Sequence, residues 1–159
     1  MRKVIDLLGQ LCERKGFSDW RQHAYHIRQI KRLTRQAQLS KRSSARTEAQ
    51  QLKRKQAMKE AHEACLNVSM GYVNKAQATL GKLSAIPLNL SDSARITVIN
   101  GFIDHANRQI DQIRRRVLEG EVIPHEEKVF SIFEPHTEWI SKGKAGKPVE
   151  LGIRVGIVE

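Results

Sequence analysis

The feature that most constrains this chain is a change of hydrophobic period near residue 120. Before it, apolar residues recur every three or four positions, which is the repeat of a helix face. After it they alternate, which is the repeat of a strand with one buried side. Val4, Ile5, Leu7, Leu8, Leu11 and Cys12 predict a helix over about 2–15, stopped near Gly16. Trp20, Ala24, Ile27, Ile30, Leu33 and Ala37 predict a second, capped by Ser18 or Asp19. The break Ser40–Ser44 precedes a proline-free stretch, 45–83, that one or two helices fill, with Gly71 as a candidate junction. Pro87 interrupts the pattern, and Ser91 is placed to cap the next helix. From Asp92 to Leu118, the spacing of Ile99, Ile103, Ala106, Ile110, Ile113 and Val117 gives a near-heptad seam that Gly120 ends.

Beyond Gly120 two segments read as strands: Lys128–Phe133, and Val149–Val158 with Val149, Leu151, Ile153, Val155 and Ile157 on one face. Thr137–Ser141 is extended, and Lys142–Pro148 is a basic turn. The expected fold class is therefore α+β. A helical bundle or long hairpin over 1–120 is followed, over 121–159, by two or three antiparallel strands of an incomplete sheet. So few strands leave backbone groups unpaired along both edges, so the chain alone is not expected to be a complete enzyme.

Charge points to the partner. The chain carries 28 Lys plus Arg against 17 Asp plus Glu, a formal net charge of +11. Residues 1–82 hold 18 basic and 6 acidic side chains, and the remainder 10 and 11. Between 21 and 59, Glu48 alone faces 12 cations. Such a concentration favours polyanions. Arg21, Arg28, Lys31, Arg32 and Arg35 recur at helical spacings, with Lys41 and Arg42 beyond them, and are the candidate phosphate contacts. Lys142, Lys144 and Lys147 form a second, loop-borne set. The plain alternative is a solvated helix face. No base-reading motif is present, so backbone contact is expected more than sequence recognition.

Catalytic and metal chemistry find less support. His23 and His26 are three residues apart, as are His62 and Cys65, but spacing fixes no third ligand. Cys12 and Cys65 read as buried thiols in a reducing compartment, too few for a disulfide framework. Glu134 and Glu138 flank Pro135-His136-Thr137, where proline interrupts regular strand pairing, and read as surface acids near a turn. No apolar run approaches the ~20 residues that cross a bilayer, so no membrane partner and a cytoplasmic location are expected.

The segment Ile123–Gly152, with Phe133-Glu134-Pro135-His136-Thr137-Glu138-Trp139-Ile140-Ser141-Lys142-Gly143-Lys144-Ala145-Gly146-Lys147-Pro148 at its centre, resembles bacterial insertion-sequence transposases of the ISNCY type. Gln109–Glu121 and the opening Met1–Leu8 share the resemblance. It implies a DDE transposase, whose ribonuclease-H-like catalytic domain holds divalent metals, usually Mg²⁺, on three carboxylates. On that placement residues 1–120 match a helical insertion and 121–159 begin the next strands of the sheet. The first catalytic Asp would lie before Met1, and the second Asp and the Glu after Glu159. No catalytic or metal-binding residue and no cofactor is then carried by this chain, which is expected to be inactive alone and to retain non-specific DNA binding. The alternatives are a helical interaction module that self-associates or assembles with an intact transposase through the Ile99–Val117 seam, and a relic without function.

Overall fold

The computed structural model describes residues 1–40, 46–124, 127–128, 137–141 and 149–152. The chain divides into two compact units, Met1–Val122 and Ile123–Glu159.

The first unit is built of four helices, α1 (Arg2–Lys15), α2 (His23–Ser40), α3 (Glu48–Ser84) and α4 (Leu90–Ile113). Helix α1 ends where Gly16 turns left-handed at φ 75°, a conformation that glycine adopts without a Cβ penalty. Trp20 falls in the turn before α2, which starts only at His23, so neither Ser18 nor Asp19 is its cap. Asp19 instead pairs with Lys82 at 2.6 Å. Asn89, rather than Ser91, caps α4, its side chain accepting from the Asp92 N–H at 2.8 Å.

Helix α3 is one uninterrupted helix of 37 residues. Gly71 marks no junction; it sits on the exposed side with open space around it. The helix begins with a capping box: Thr47 Oγ1 accepts from the Gln50 N–H, and Gln50 Oε1 accepts from the Thr47 N–H. Further along, His62, Leu66, Ser69, Val73, Ala76, Leu80 and Leu83 are all buried, at alternating spacings of four and three. This seam packs on the other helices.

All four helices share one core. Val4, Ile5, Leu8 and Leu11 of α1 and Ile99 of α4 are fully excluded from solvent, as are Trp20 and Leu83. Burying each such aliphatic side chain contributes roughly 1.5–3 kcal/mol. Helix α1 and the start of α2 approach closely at Gly9, where an added Cβ would lie 2.5 Å from His23 Cγ. Only a residue without a side chain fits there.

The contacts of α2 and its preceding turn with α3 run antiparallel: Trp20 meets Thr79, His26 meets Tyr72, and Thr34 meets Cys65. Continued at the same register, Ser40 falls opposite about Lys59. The first turns of α3 thus run past the end of α2, and no residue of 48–61 is buried. The cause is visible in the seam. Extended backward by its own spacing, it reaches Lys59, Lys55, Leu52 and Glu48, so apolar contacts give way to charge.

The sequence seam of α4 is only partly realised. Ile99, Ile103, Ala106 and Ile110 are buried, but Ile113 is 38% exposed and Val117 only half-buried. The helix widens into π geometry over Arg114–Glu119, where no residue is fully buried and Leu118 packs half-buried against the core, before Gly120 ends it at φ 80°.

The expected α+β class does not hold. The described residues are mostly helical, and their extended structure is one antiparallel pairing of four residues a side, β1 (Glu138–Ser141) with β2 (Val149–Gly152). A two-stranded ladder between segments seven residues apart in sequence is local structure and does not make the ribonuclease-H-like sheet. Of the expected strand 128–133 only Lys128 is described, outside any strand, and Val149–Val158 is described only as far as Gly152.

Candidate nucleic-acid interface

Helix α2 separates its apolar and cationic residues by angle. With 3.6 residues per turn, Arg28, Lys31, Arg32 and Arg35 fall within an arc of about 100°, turned away from the buried Ile30 and Ala37. All four are exposed. They rise about 10 Å along the helix, the axial length of about three phosphates on one strand of duplex DNA. Arg21 is exposed too, but belongs to the turn before α2, so the five predicted helical contacts are four on the helix and one ahead of it. Among the described residues, none of the five is within ion-pair distance of a carboxylate.

Two acids of the helical unit are committed to other cations. Asp92 is held by Lys15 at 2.5 Å and Arg14 at 3.4 Å, and Asp19 by Lys82. Both carboxyls lie below the usual carboxylate range, chiefly through the hydrogen bonds from their lysines. The α2 face is left as positive charge facing water. The overhanging start of α3 adds exposed Lys53, Lys55 and Lys59, and Arg46 is exposed just before its cap. Of the other predicted contacts, Lys41, Arg42, Lys142, Lys144 and Lys147 lie outside the described residues.

The histidines have structural partners. Tyr72 Oη donates to Gln29 Oε1 at 2.6 Å, so its oxygen accepts from His26 Nδ1 at 2.8 Å. His26 also stacks edge-on against Trp20, with centroids 5.9 Å apart. Burial, with help from Lys75 and His23, lowers the His26 pKa and favours the neutral ring. His62 Nδ1 bonds the Met58 carbonyl at 2.7 Å, one turn back. Among the described residues no three His, Cys, Asp or Glu side chains converge as metal ligands. The Mg²⁺ implied by the transposase resemblance therefore has no fitting donor set there. Glu134 lies outside the described residues, as does the side chain of Glu138.

Cys12 is buried, and its thiol is pushed up to about 11 by burial and by Asp19. Cys65, expected to be buried as well, is only half-buried, with its sulfur 3.9 Å from Thr34 Oγ1. No helix among the described residues is long and apolar enough to cross a membrane.

The overhang of α3 escaped the periodicity reading. Its signal was the replacement of seam residues by Lys55 and Lys59 in a stretch with no helix breaker. No family model, curated protein or solved structure matches this chain.

Proposed function

We propose that this chain is a helical module that grips the phosphate backbone of DNA without reading its sequence, as the DNA-holding part of a DDE-type transposase. The observation that carries the DNA-binding reading is the α2 face. Four exposed cations share one arc of a helix whose opposite side is fixed in the core, and no described carboxylate neutralises them. A rigid row of Arg and Lys supplies charge-assisted hydrogen bonds to phosphate oxygens and releases condensed counterions. The setting in transposition rests on the sequence resemblance of Ile123–Gly152 and Gln109–Glu121.

The reading in which the Ile99–Val117 seam recruits another helix has less support, because Ile99, Ile103, Ala106 and Ile110 are already buried in this chain's own core.

Fluorescence anisotropy with a labelled duplex of random sequence tests the DNA reading. Binding should weaken steeply between about 50 and 200 mM salt, with a log–log slope of about −0.9 per phosphate neutralised. Affinity that is absent at low salt, or insensitive to salt, would overturn it.

A further inference from the structure

On the flank of the α2 stripe, where α1 begins, lies a cleft of about 430 Å³ lined by Arg2, Lys31, Thr34, Arg35, Gln38 and Leu39. Three of these six side chains are cations contributed by two helices, and none is a carboxylate. Arg2, Lys31 and Arg35 form no ion pair with any described acid. Like charges brought together in a concave site repel, and a bound anion relieves that repulsion. The remaining lining suits the same ligand. Among the described residues the Thr34 hydroxyl has a weak sulfur partner at 3.9 Å, Gln38 brings an amide, and Leu39, 49% exposed, offers an apolar wall.

Size and charge narrow the ligand. A recess of this volume is in the range of small-molecule sites and admits a nucleotide-sized group, not the body of a duplex. An internal phosphodiester carries one negative charge, whereas a phosphate monoester carries close to two at pH 7. Three exposed cations lining one cleft match the monoester better. We infer that this cleft is a seat for a phosphate monoester, borne by a strand end or by a free mononucleotide. This deepens the nucleic-acid reading and rests on it for the source at a strand end; the seat shares Lys31 and Arg35 with the outward-facing row that meets an intact backbone and adds Arg2 from α1.

Binding of a single-stranded 12-mer with a 5′-phosphate, compared with the same strand ending in a 5′-hydroxyl, tests the inference in the full chain. The phosphorylated strand should bind about tenfold more tightly, the effect of one strong charge-assisted contact. In R2Q, and separately in K31Q, the ratio should fall below about twofold while far-UV circular dichroism keeps the wild-type helix content. Deoxyadenosine monophosphate and inorganic phosphate serve as competitors. If either removes the preference, the free monoester is itself a ligand; if only a phosphorylated strand does, the ligand is a strand end. Either result supports the seat. Equal binding of the two strands by the wild type, or a preference that survives in both variants, overturns it. Failure of the random duplex to bind, with the monoester preference intact, would instead remove the backbone-gripping reading alone.

Discussion

The indole Nε1 of Trp20 donates to Thr79 Oγ1 at 2.9 Å, joining the turn before α2 to the far part of α3 inside the core. Thr79 Oγ1 in turn donates a hydrogen bond to the Lys75 carbonyl at 2.9 Å, and Lys75 Nζ lies 4.5 Å from the centre of the Trp20 ring. The bond lets a tryptophan be fully buried without an orphaned N–H. Thr79→Val keeps the shape and removes the acceptor, so stability should fall by about 1–3 kcal/mol. Thr79→Ser should lose less. Urea unfolding followed by tryptophan fluorescence measures both; a valine variant as stable as wild type would show the bond to be dispensable.

Asp92 ties α4 to the end of α1 through Lys15 and Arg14. Its carboxyl is lowered from 3.8 first by the hydrogen bond from Lys15, then by the charges of Lys15, Arg14 and Arg95 acting against burial. A group whose folded pKa is depressed stabilises fully above its unfolded value and loses that contribution as pH falls through the folded value. The contribution should therefore be intact above about pH 4 and fade on acidification below it. Asp92→Asn should be less stable than wild type at neutral pH and should narrow the gap towards pH 2. A constant gap in thermal melts across that window would contradict the assignment.

Two glycines should respond in opposite senses to alanine. Gly71 lies on an exposed side of α3 with nothing within 4 Å of a new Cβ, so Gly71→Ala should stabilise by about 0.5–1 kcal/mol. A Cβ added at Gly9 would lie 2.7 and 2.5 Å from the Cβ and Cγ of His23, so Gly9→Ala must push α2 from α1, at a cost of about 1–3 kcal/mol. Paired chemical denaturation curves decide both.

The two thiols should separate kinetically. Cys12 is buried and poorly ionised, with its pKa pushed up to about 11, whereas Cys65 is half-buried. At pH 8 an aromatic disulfide reagent should modify one thiol promptly, with mass spectrometry locating it at Cys65, and the second only in denaturant. Equal rates in the folded protein would show that the core admits reagent.

Along the α2 face, single replacements Arg28→Gln, Arg32→Gln and Arg35→Gln should each reduce the salt slope of duplex binding by about 1 and weaken binding alike across sequences. A variant that weakens binding to one sequence alone would point to base contact.

Helix α1 was readable because its apolar positions carry apolar residues: Val4, Ile5, Leu8, Leu11 and Cys12 are all buried, and Gly16 ends it. The seam of α3 was hidden because polar residues occupy its positions or neighbour them. They manage burial by bonding one turn back: Ser69 Oγ to Cys65 O at 2.7 Å, Thr79 Oγ1 to Lys75 O, and His62 to Met58 O. A hydropathy pattern registers such residues as interruptions, although their hydrogen bonds are met within the helix. The cations of α2 could be found from spacing alone, but the cleft they share with Arg2 depends on how α1 meets α2, and no local pattern encodes that. The sheet was over-read from alternation near the end of the chain, since alternation specifies a strand's faces and not how many neighbours it has.

The overhang of α3 has a mechanical consequence. From His62 onward the helix buries a seam against its neighbours, whereas no residue from Glu48 to Met58 is buried and the Thr47–Gln50 box secures the helix start. Isolated helical stretches of that length are marginal in water, so the overhang is a cantilever: stiff at its root, compliant at its cationic tip. Bending or fraying of the tip breaks no contact of the shared core. A charged lever of this kind adapts to the curvature of a polyanion while its anchorage stays fixed, and its amide protons should exchange with solvent well ahead of those beyond residue 62.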